Sequence, residues 1–358
     1  MKLRGNAGMN KNFWRGKKIF LTGHTGFKGS WLSAWLQNLG AHVKGYSLES
    51  KVDSLFSQVS LFKDMDSFIG DVRNLDLLKN QMKAFDPEIV IHMAAQPLVR
   101  YSYQNPVETF STNVMGTVHV LEAARACKNL RALINVTTDK VYKNKEWIWP
   151  YRESDRLGGH DPYSNSKACS ELVTESYRSS FFKDVAIATA RAGNVIGGGD
   201  WTEDRLIPDF FRSHIRNEPL FIRNPKSIRP WQHVLDALRG YLLLAESLHS
   251  KGAEFAQAWN FGPPDENYLT VEEVIAYLAK GYEVKINFEP SPEYHEAKIL
   301  KLDWTKAKTF LKWQPVFNIE KTLDDVKSFY LETLTRPKDL SSFLQQSINH
   351  YEKTCTKN

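Results

Sequence analysis

Lys18-Ile19-Phe20-Leu21-Thr22-Gly23-His24-Thr25-Gly26-Phe27-Lys28-Gly29 is a short apolar run that breaks into three glycines spaced three apart. An amphipathic stretch, Ser30 to Gly40, follows at once. Strand, glycine turn and helix in that order are what a dinucleotide pyrophosphate site requires. Gly23 makes the tight turn, Gly26 lets the backbone approach the phosphates, and Gly29 lets helix and strand pack closely. Thr25 and Phe27, in the same loop, are counted with them as cofactor contacts. The diphosphate would rest on free N–H groups at the helix N-terminus, where the dipole favours an anion.

Working outward, His42 to Ser47 reads as a second strand. An acidic residue near its end would bind the adenosine ribose of NAD. The tip, Tyr46-Ser47-Leu48-Glu49 with Asp53 farther on, places none there cleanly. No arginine stands nearby to clamp a 2′-phosphate, with only Lys44 and Lys51 as substitutes, so the balance favours NAD. Further strands are expected at Ser67–Asp71, Pro87–His92, Arg131–Thr137 and Val185–Ala190. Helices are expected at Asn74–Phe85, Pro106–Cys127 and from Asp161-Pro162 to Arg178. This alternation indicates an α/β fold, a doubly wound parallel sheet of the Rossmann type, with ligands beyond the strands' C-terminal ends. From Arg191 the alternation fails, and a loop-rich stretch opens with Gly197-Gly198-Gly199. Trp259 to Pro264 looks like a late strand returning to the sheet. The expected division is a dinucleotide-binding domain over 13–192, with returning segments about 231–262. A smaller substrate-binding domain takes 193–230 and 263–335, and 1–12 and 345–358 are flexible tails. Met9 is an alternative start.

A chain of 358 residues, 42% apolar and 25% charged, is ordinary for a globular protein of this size. Its net charge of +6 is dispersed and suits an anionic small substrate. No nucleic-acid-binding motif appears. No apolar run approaches the roughly 18 residues of a membrane span, and Met1 to Lys11 lacks the apolar core of a signal peptide. Cys127, Cys169 and Cys355 form neither a Cys-x-x-Cys pair nor a metal-ligand cluster. The expectation is reduced thiols in a cytoplasmic protein without a metal.

Tyr163 and Lys167 stand four apart on one expected helix and so share a face. A phenol is a poor base at neutral pH, and a neighbouring ammonium and a nicotinamide cation would favour the phenolate. Tyr294 and Lys298 have the same spacing. They lie in a proline-bearing loop with no strand-end hydroxyl before them, and are read as chance. Tyr163 instead follows the strand end Val136-Thr137-Thr138, where a substrate could lie against the nicotinamide.

These pieces resemble the extended short-chain dehydrogenase/reductase superfamily over nearly all of residues 17–330. The shared motifs are Thr22 to Gly29, Gly70-Asp71-Val72, His92-Met93-Ala94-Ala95, Thr112 to Thr117, and Tyr163 with Lys167. Five longer stretches narrow the likeness: Thr22 to Leu32, His92 to Arg100, Gly158 to Tyr163, Gly197 to Trp201, and Arg229 to His233. They are similar to those of the NAD-dependent nucleotide-sugar dehydratases, the CDP-glucose 4,6-dehydratases in particular. The resemblance implies that Asp71 and Val72 contact adenine and that the Ala94-Ala95 backbone lines the cofactor. It implies that Thr138 hydrogen-bonds the sugar 4-hydroxyl, Tyr163 removes its proton, and Lys167 holds the nicotinamide ribose and tunes Tyr163. Asp139 and Lys140 stand where related dehydratases carry an Asp-Glu pair for eliminating water. An acid at C6 and a base at C5 are needed there, and which residue takes which role stays open. By the same resemblance the protein is at least a homodimer, paired through the helices containing Pro106–Cys127 and Ser164–Arg178, with CDP-glucose as its partner molecule.

Asn194, Arg205 and Arg229 are candidates for the nucleotide diphosphate, because guanidinium forks match phosphate oxygens. Arg100 is counted with them as a substrate contact. His295-Glu296-Ala297 resembles a family segment near the sugar nucleotide. A nucleotide-sugar 4-epimerase would share Thr138, Tyr163 and Lys167 but needs no Asp139–Lys140 pair. A non-catalytic NAD-binding sensor or scaffold would commonly lose the tyrosine–lysine pair that this chain keeps.

Overall fold

A computed structural model describes residues 8–59, 62, 65–288, 299–336 and 340–356. Seven parallel strands form the main sheet. They are β1 (Lys18–Thr22), β2 (His42–Ser47), β3 (Asp66–Ile69), β4 (Ile89–His92), β5 (Ala132–Val136), β6 (Ala186–Ala192) and β10 (Ala258–Phe261). Their order is β10-β6-β5-β4-β1-β2-β3. The first two crossovers therefore run one way from β1, and the third returns to its other side, where Ile19 pairs with Ile89. That reversal opens the crevice in which doubly wound sheets hold ligands.

Strand residues alternate between two cores, as a period of two requires. Ile19, Leu21, Ile89, Ile91 and Ile134 face one cluster, while Phe20, Val90, Leu133 and Ile187 face the other. The second cluster is covered by helices α4 (Leu75–Phe85), α7 (Gly116–Ala124) and α8 (Pro162–Phe181). The first is covered by α2 (Phe27–Asn38), α10 (Val234–Lys251) and α13 (Leu340–Cys355). Helices on both faces explain why β4, β5 and β6 are buried along their whole length.

Two expectations fail here for one reason. Residues 345–358 do not form a flexible tail: most of them belong to α13, whose Leu344, Ile348, Tyr351 and Cys355 are buried. The Tyr351 hydroxyl donates to Asp236 Oδ1 at 2.5 Å, and Trp35 Nε1 donates to Glu352 Oε1 at 2.8 Å. With α13 and α10 upon it, α2 is buried throughout Gly29–Leu36 and is not amphipathic. It also starts at Phe27, inside the glycine motif. At the other end, Asn10 caps α1 (Lys11–Trp14), whose Trp14 is buried and bonds Glu246 at 2.6 Å. Residues 1–7 lie outside the described residues. The long helix expected over Pro106–Cys127 is three pieces: α6 (Pro106–Phe110), a π-helical turn (Ser111–Met115) and α7.

The stretch read as loop-rich holds two small sheets. Strands β7 (Asn194–Ile196), β9 (Ile228–His233) and β11 (Tyr268–Thr270) form one, and β8 (Leu220–Ile222) with β12 (Ile286–Phe288) the other. With α9 (Leu206–Arg216), α11 (Val271–Leu278) and α12 (Ile319–Thr335) they enclose a separate core around Phe210, Phe211, Trp231 and Tyr330. The remaining helices are α3 (Leu55–Gln58) and α5 (Val99–Gln104). No helix among the described residues is long and apolar enough to cross a membrane, and no cluster of histidine, cysteine and carboxylate side chains there could hold a metal.

Candidate active site

The site grows from the end of β5. Thr138 leaves the strand extended and caps a single 3-10 turn, Asp139–Val141, by accepting from the Lys140 amide at 3.4 Å. Its hydroxyl donates to Asp139 Oδ1 at 2.9 Å and is hydrogen-bonded to Tyr163. Helix α8 brings the tyrosine there. Asp161 caps it, accepting from the Ser164 amide at 2.9 Å, and Pro162 occupies its first turn. One turn on, Lys167 Nζ donates to the Val136 carbonyl at 3.1 Å. Thr138, Asp139, Tyr163 and Lys167 are all buried. Lys140 is one-third exposed, with Nζ 3.7 Å from Asp139 Oδ1. Two pairs of residues 24 to 29 positions apart in sequence, Thr138 and Asp139 with Tyr163 and Lys167, thus meet through the sheet-and-helix frame.

Electrostatics depart from expectation at the phenol. Burial pushes Tyr163 up to about 12, opposed by the Thr138 hydrogen bond and, among the cations, chiefly by Arg205. Lys167, expected together with the nicotinamide to favour the phenolate, acts on it less than Arg205 does. Burial lowers Lys167 itself to about 8, with Glu171 acting the other way. Phenol and ammonium are each held toward their neutral forms because both sit in the same dry space.

Thr138, Asp139, Lys140 and Tyr163 line one cavity of about 420 Å³ with Asn194 and Arg229. Phe27, Arg100 and Arg205 also reach its wall. Arg205, expected at a diphosphate, donates to Asp200 Oδ2 at 2.8 Å and lies close enough to Tyr163 to influence its charge. Arg100 pairs with Asp204 at 3.6 Å. The motif residues His295–Ala297 and the second tyrosine–lysine spacing at Tyr294 and Lys298 lie outside the described residues.

Two functional elements escaped the sequence reading. Lys28 lines the cavity, and burial together with Lys167 and Arg205 lowers it to about 7. A lysine in the first turn of a helix opposes the dipole, and that local conflict was the available signal. The second is Glu171, four residues beyond Lys167. It accepts from Thr137 Oγ1 at 2.5 Å, Thr189 Oγ1 at 2.6 Å, and Arg191 Nε and Nη2 at 2.9 and 2.8 Å. Arg191 also donates to the Tyr142 hydroxyl at 2.7 Å. This buried network clamps β5, β6 and α8 on both sides of the Thr138–Asp139–Lys140 turn. A glutamate one helical turn after Lys167 marks it in sequence; its partner on β6 does not show until the strands are paired.

Beside the cavity, the glycine turn forms a cradle. A Cβ on Gly23 would lie 2.7 Å from the Ala94 amide nitrogen, and one on Gly29 2.0 Å from the Gly23 carbonyl. Gly26 begins α2 with no side chain capping it. Thr25 Oγ1 bonds Ser47 Oγ at 2.8 Å and the Leu48 carbonyl at 3.0 Å, so it ties the turn to the end of β2. Thr22 Oγ1 accepts from the Met93 and Ala94 amides, which sets the backbone of Ala94 and Ala95 against the turn. Val72 is buried, and the Asp71 carboxylate takes Arg73 at 2.8 and 2.5 Å. A cradle that any Cβ would fill, at an uncapped helix start, fits a dinucleotide diphosphate.

Comparison with known proteins agrees with this geometry. Residues 20–326 match the family described as GDP-mannose 4,6 dehydratase. The CDP-glucose 4,6-dehydratase of Salmonella typhimurium is 49% identical, across 98% of this chain and all of that protein. Among solved structures, a UDP-glucose 4-epimerase from Thermotoga maritima with UDP-glucose superposes with a TM-score of 0.78 at 23% identity, over 88% of this chain and 99% of the other. A Thermus thermophilus UDP-glucose 4-epimerase in complex with NAD does so at 0.77 and 23%, with the same coverage of both chains. At those identities the structures show a shared fold.

Proposed function

The chain belongs to the GDP-mannose 4,6 dehydratase family, and we propose that it converts CDP-glucose to CDP-4-dehydro-6-deoxyglucose and water, using NAD. The observation that carries this reading is the convergence of Tyr163 and Thr138 with Asp139 and Lys140 on one cavity. An epimerase needs only the first pair; loss of water needs the second. The 49% identity to a CDP-glucose 4,6-dehydratase along the whole of both chains supports the cytidine nucleotide.

The glycine cradle, with Thr25, Phe27 and the Ala94-Ala95 backbone, would hold the NAD diphosphate, and Asp71 and Val72 its adenine. When bound, NAD⁺ supplies the oxidation at sugar C4 and later the reduction at C6. The chain's own residues move the protons. Tyr163 takes the proton of the sugar 4-hydroxyl, with Thr138 hydrogen-bonding the same oxygen. Lys167, one turn along, favours the phenolate form in which Tyr163 can accept that proton, and positions the nicotinamide ribose. The 4-ketone acidifies the hydrogen on C5, since the carbanion delocalises into the carbonyl. Asp139 and Lys140 then divide the removal of that proton and the protonation of the departing C6 hydroxyl. Arg229 and Asn194 bind the diphosphate, with Arg100 on the same wall, while Arg205, held by Asp200, stands beside Tyr163. The sugar nucleotide lies between the parallel sheet and the smaller lobe of residues 193–230 and 263–335.

The protein acts as a homodimer in the cytoplasm on this reading. Val107, Phe110 and Met115 expose apolar surface on α6 and the π-helical turn, and Leu172 and Phe181 do so on α8. These are the helices expected to pair. The decisive experiment uses CDP-glucose carrying deuterium at C4 and reads the product by NMR. Deuterium at C6, with a solvent hydrogen at C5, is expected. Deuterium returned to C4 with inverted configuration would make the protein an epimerase, and no turnover of any nucleotide sugar would remove the enzyme reading.

A further inference from the structure

The cavity wall changes character along its length. From the strand end and α8 it takes Thr138, Asp139 and Tyr163; on the side of the smaller lobe it is built from the first turn of α9 and from β8. Arg205 and Arg229 belong to the wall as well. A sugar nucleotide with its C4 at Tyr163 and its diphosphate on arginine must place its base at the α9–β8 end. That side backs onto the core residues Ile207 and Leu220 and presents an aromatic ring, Phe221, which is 53% exposed. A half-open ring on a cavity wall suits the face of a planar base.

One charged side chain there has an uncommitted atom. Asp209, in the first turn of α9, lines the cavity, and its carboxylate is about one-third exposed. Arg212 donates to Asp209 Oδ1. The same guanidinium is anchored on two backbone carbonyls, Trp201 at 2.7 Å and Thr202 at 3.1 Å. Asp209 Oδ1 is thereby fixed, while Oδ2 has no hydrogen-bond partner among the described residues. The other carboxylate at this end, Asp204, is held between Arg100 at 3.6 Å and Arg223 at 3.5 Å. Asp204 and Arg223 are the charged groups that face Asp209 besides Arg212.

A carboxylate paired with arginine only accepts hydrogen bonds. Among pyrimidines, cytosine carries an amino group at C4, where uracil and thymine carry a carbonyl oxygen. Carboxylate side chains read cytosine through that amino group in nucleic-acid recognition for the same reason. Opposite Asp209 a uracil O4 would bring two acceptors together, and a buried unmatched acceptor is costly. We propose that Asp209 selects the cytosine base, its free Oδ2 accepting the exocyclic amino group and repelling the carbonyl of uracil or thymine. Arg212 is the positioning residue that aims it. The proposal rests on the sugar-nucleotide reading above and adds the residue that chooses the base.

The test is equilibrium binding of CDP and UDP to the full-length protein by calorimetry, which needs no turnover. Wild type is expected to prefer CDP by about tenfold to a hundredfold, the range of one matched base contact. Asp209→Asn can turn its amide N–H toward a carbonyl, so CDP should weaken about tenfold or more while UDP holds or tightens. A second arm needs no variant: CDP dimethylated on the exocyclic nitrogen has no N–H to donate and should lose about tenfold on wild type. An unchanged CDP-to-UDP ratio in Asp209→Asn, or full affinity for the dimethylated nucleotide, overturns the assignment and leaves the dehydratase reading standing. Normal CDP selection that depends on Asp209, together with no C4-to-C6 isotope transfer, supports Asp209 and overturns the dehydratase reading instead.

Discussion

Glu171→Gln is the most informative single change in the buried frame. Glu171 and Arg191 are only 4% and 3% exposed, and the carboxylate takes four donors. Glutamine keeps the shape and one accepting oxygen, but it leaves the Arg191 charge buried without its counter-ion. Removing one partner of a buried pair costs about 3–5 kcal/mol, and the retained oxygen puts this case near 3. Urea unfolding at one protein concentration measures it as a lower midpoint at unchanged slope. The pH dependence gives a second reading. Burial raises the Glu171 pKa, but Arg191 and the two threonines outweigh it and hold the group below the usual carboxylate range. A depressed pKa contributes stability above the unfolded value, and that stability is lost as pH falls through the folded one. The gap between wild type and variant should therefore narrow in acid. Lys167 also loses the carboxylate that favours its charged form, so it should titrate below its present value of about 8. The alkaline side of the kcat/KM profile would shift accordingly. A loss under about 1 kcal/mol, or a gap that does not change with pH, refutes the reasoning.

Tyr163→Phe should lower turnover by about two to four orders of magnitude with cofactor binding retained, whereas Tyr294→Phe should do far less; steady-state kinetics and cofactor titration check both. Asp139→Asn and Lys140→Met should still oxidise C4 and then stall, so reduced cofactor should accumulate in a single turnover, read by absorbance at about 340 nm. Both variants losing oxidation as fully as Tyr163→Phe would end that division of labour. Arg229→Ala should raise KM for CDP-glucose by the equivalent of about 1.5–3 kcal/mol with kcat nearly constant, and the opposite pattern would place Arg229 at the chemistry.

Some of this molecule is local and could be read from the chain directly. The glycine turn needs its glycines because Ala94 and the Gly23 carbonyl come within a Cβ's reach, and that need is written in their spacing. Tyr163 and Lys167 share a face because four residues make about one helical turn, and Asp161-Pro162 announces the helix start by its capping chemistry. The doubly wound parallel sheet follows from the alternation of strands and helices along the chain. What tertiary structure alone decided are the matters of who covers whom. Ser30–Leu36 carries polar residues at intervals and reads as amphipathic, yet α13, some 310 residues later, buries it; no local pattern contains that partner. Arg205 carries the same guanidinium as Arg229, but Asp200 draws it beside Tyr163, and burial rather than Lys167 sets the state of that phenol. Glu171 meets Arg191 only when β5 and β6 pair, and the free oxygen of Asp209 is defined only by what Arg212 already holds. Periodicity and turn chemistry act within a few residues and are legible there; desolvation and charge pairing depend on neighbours that the folded chain brings in from anywhere along its length.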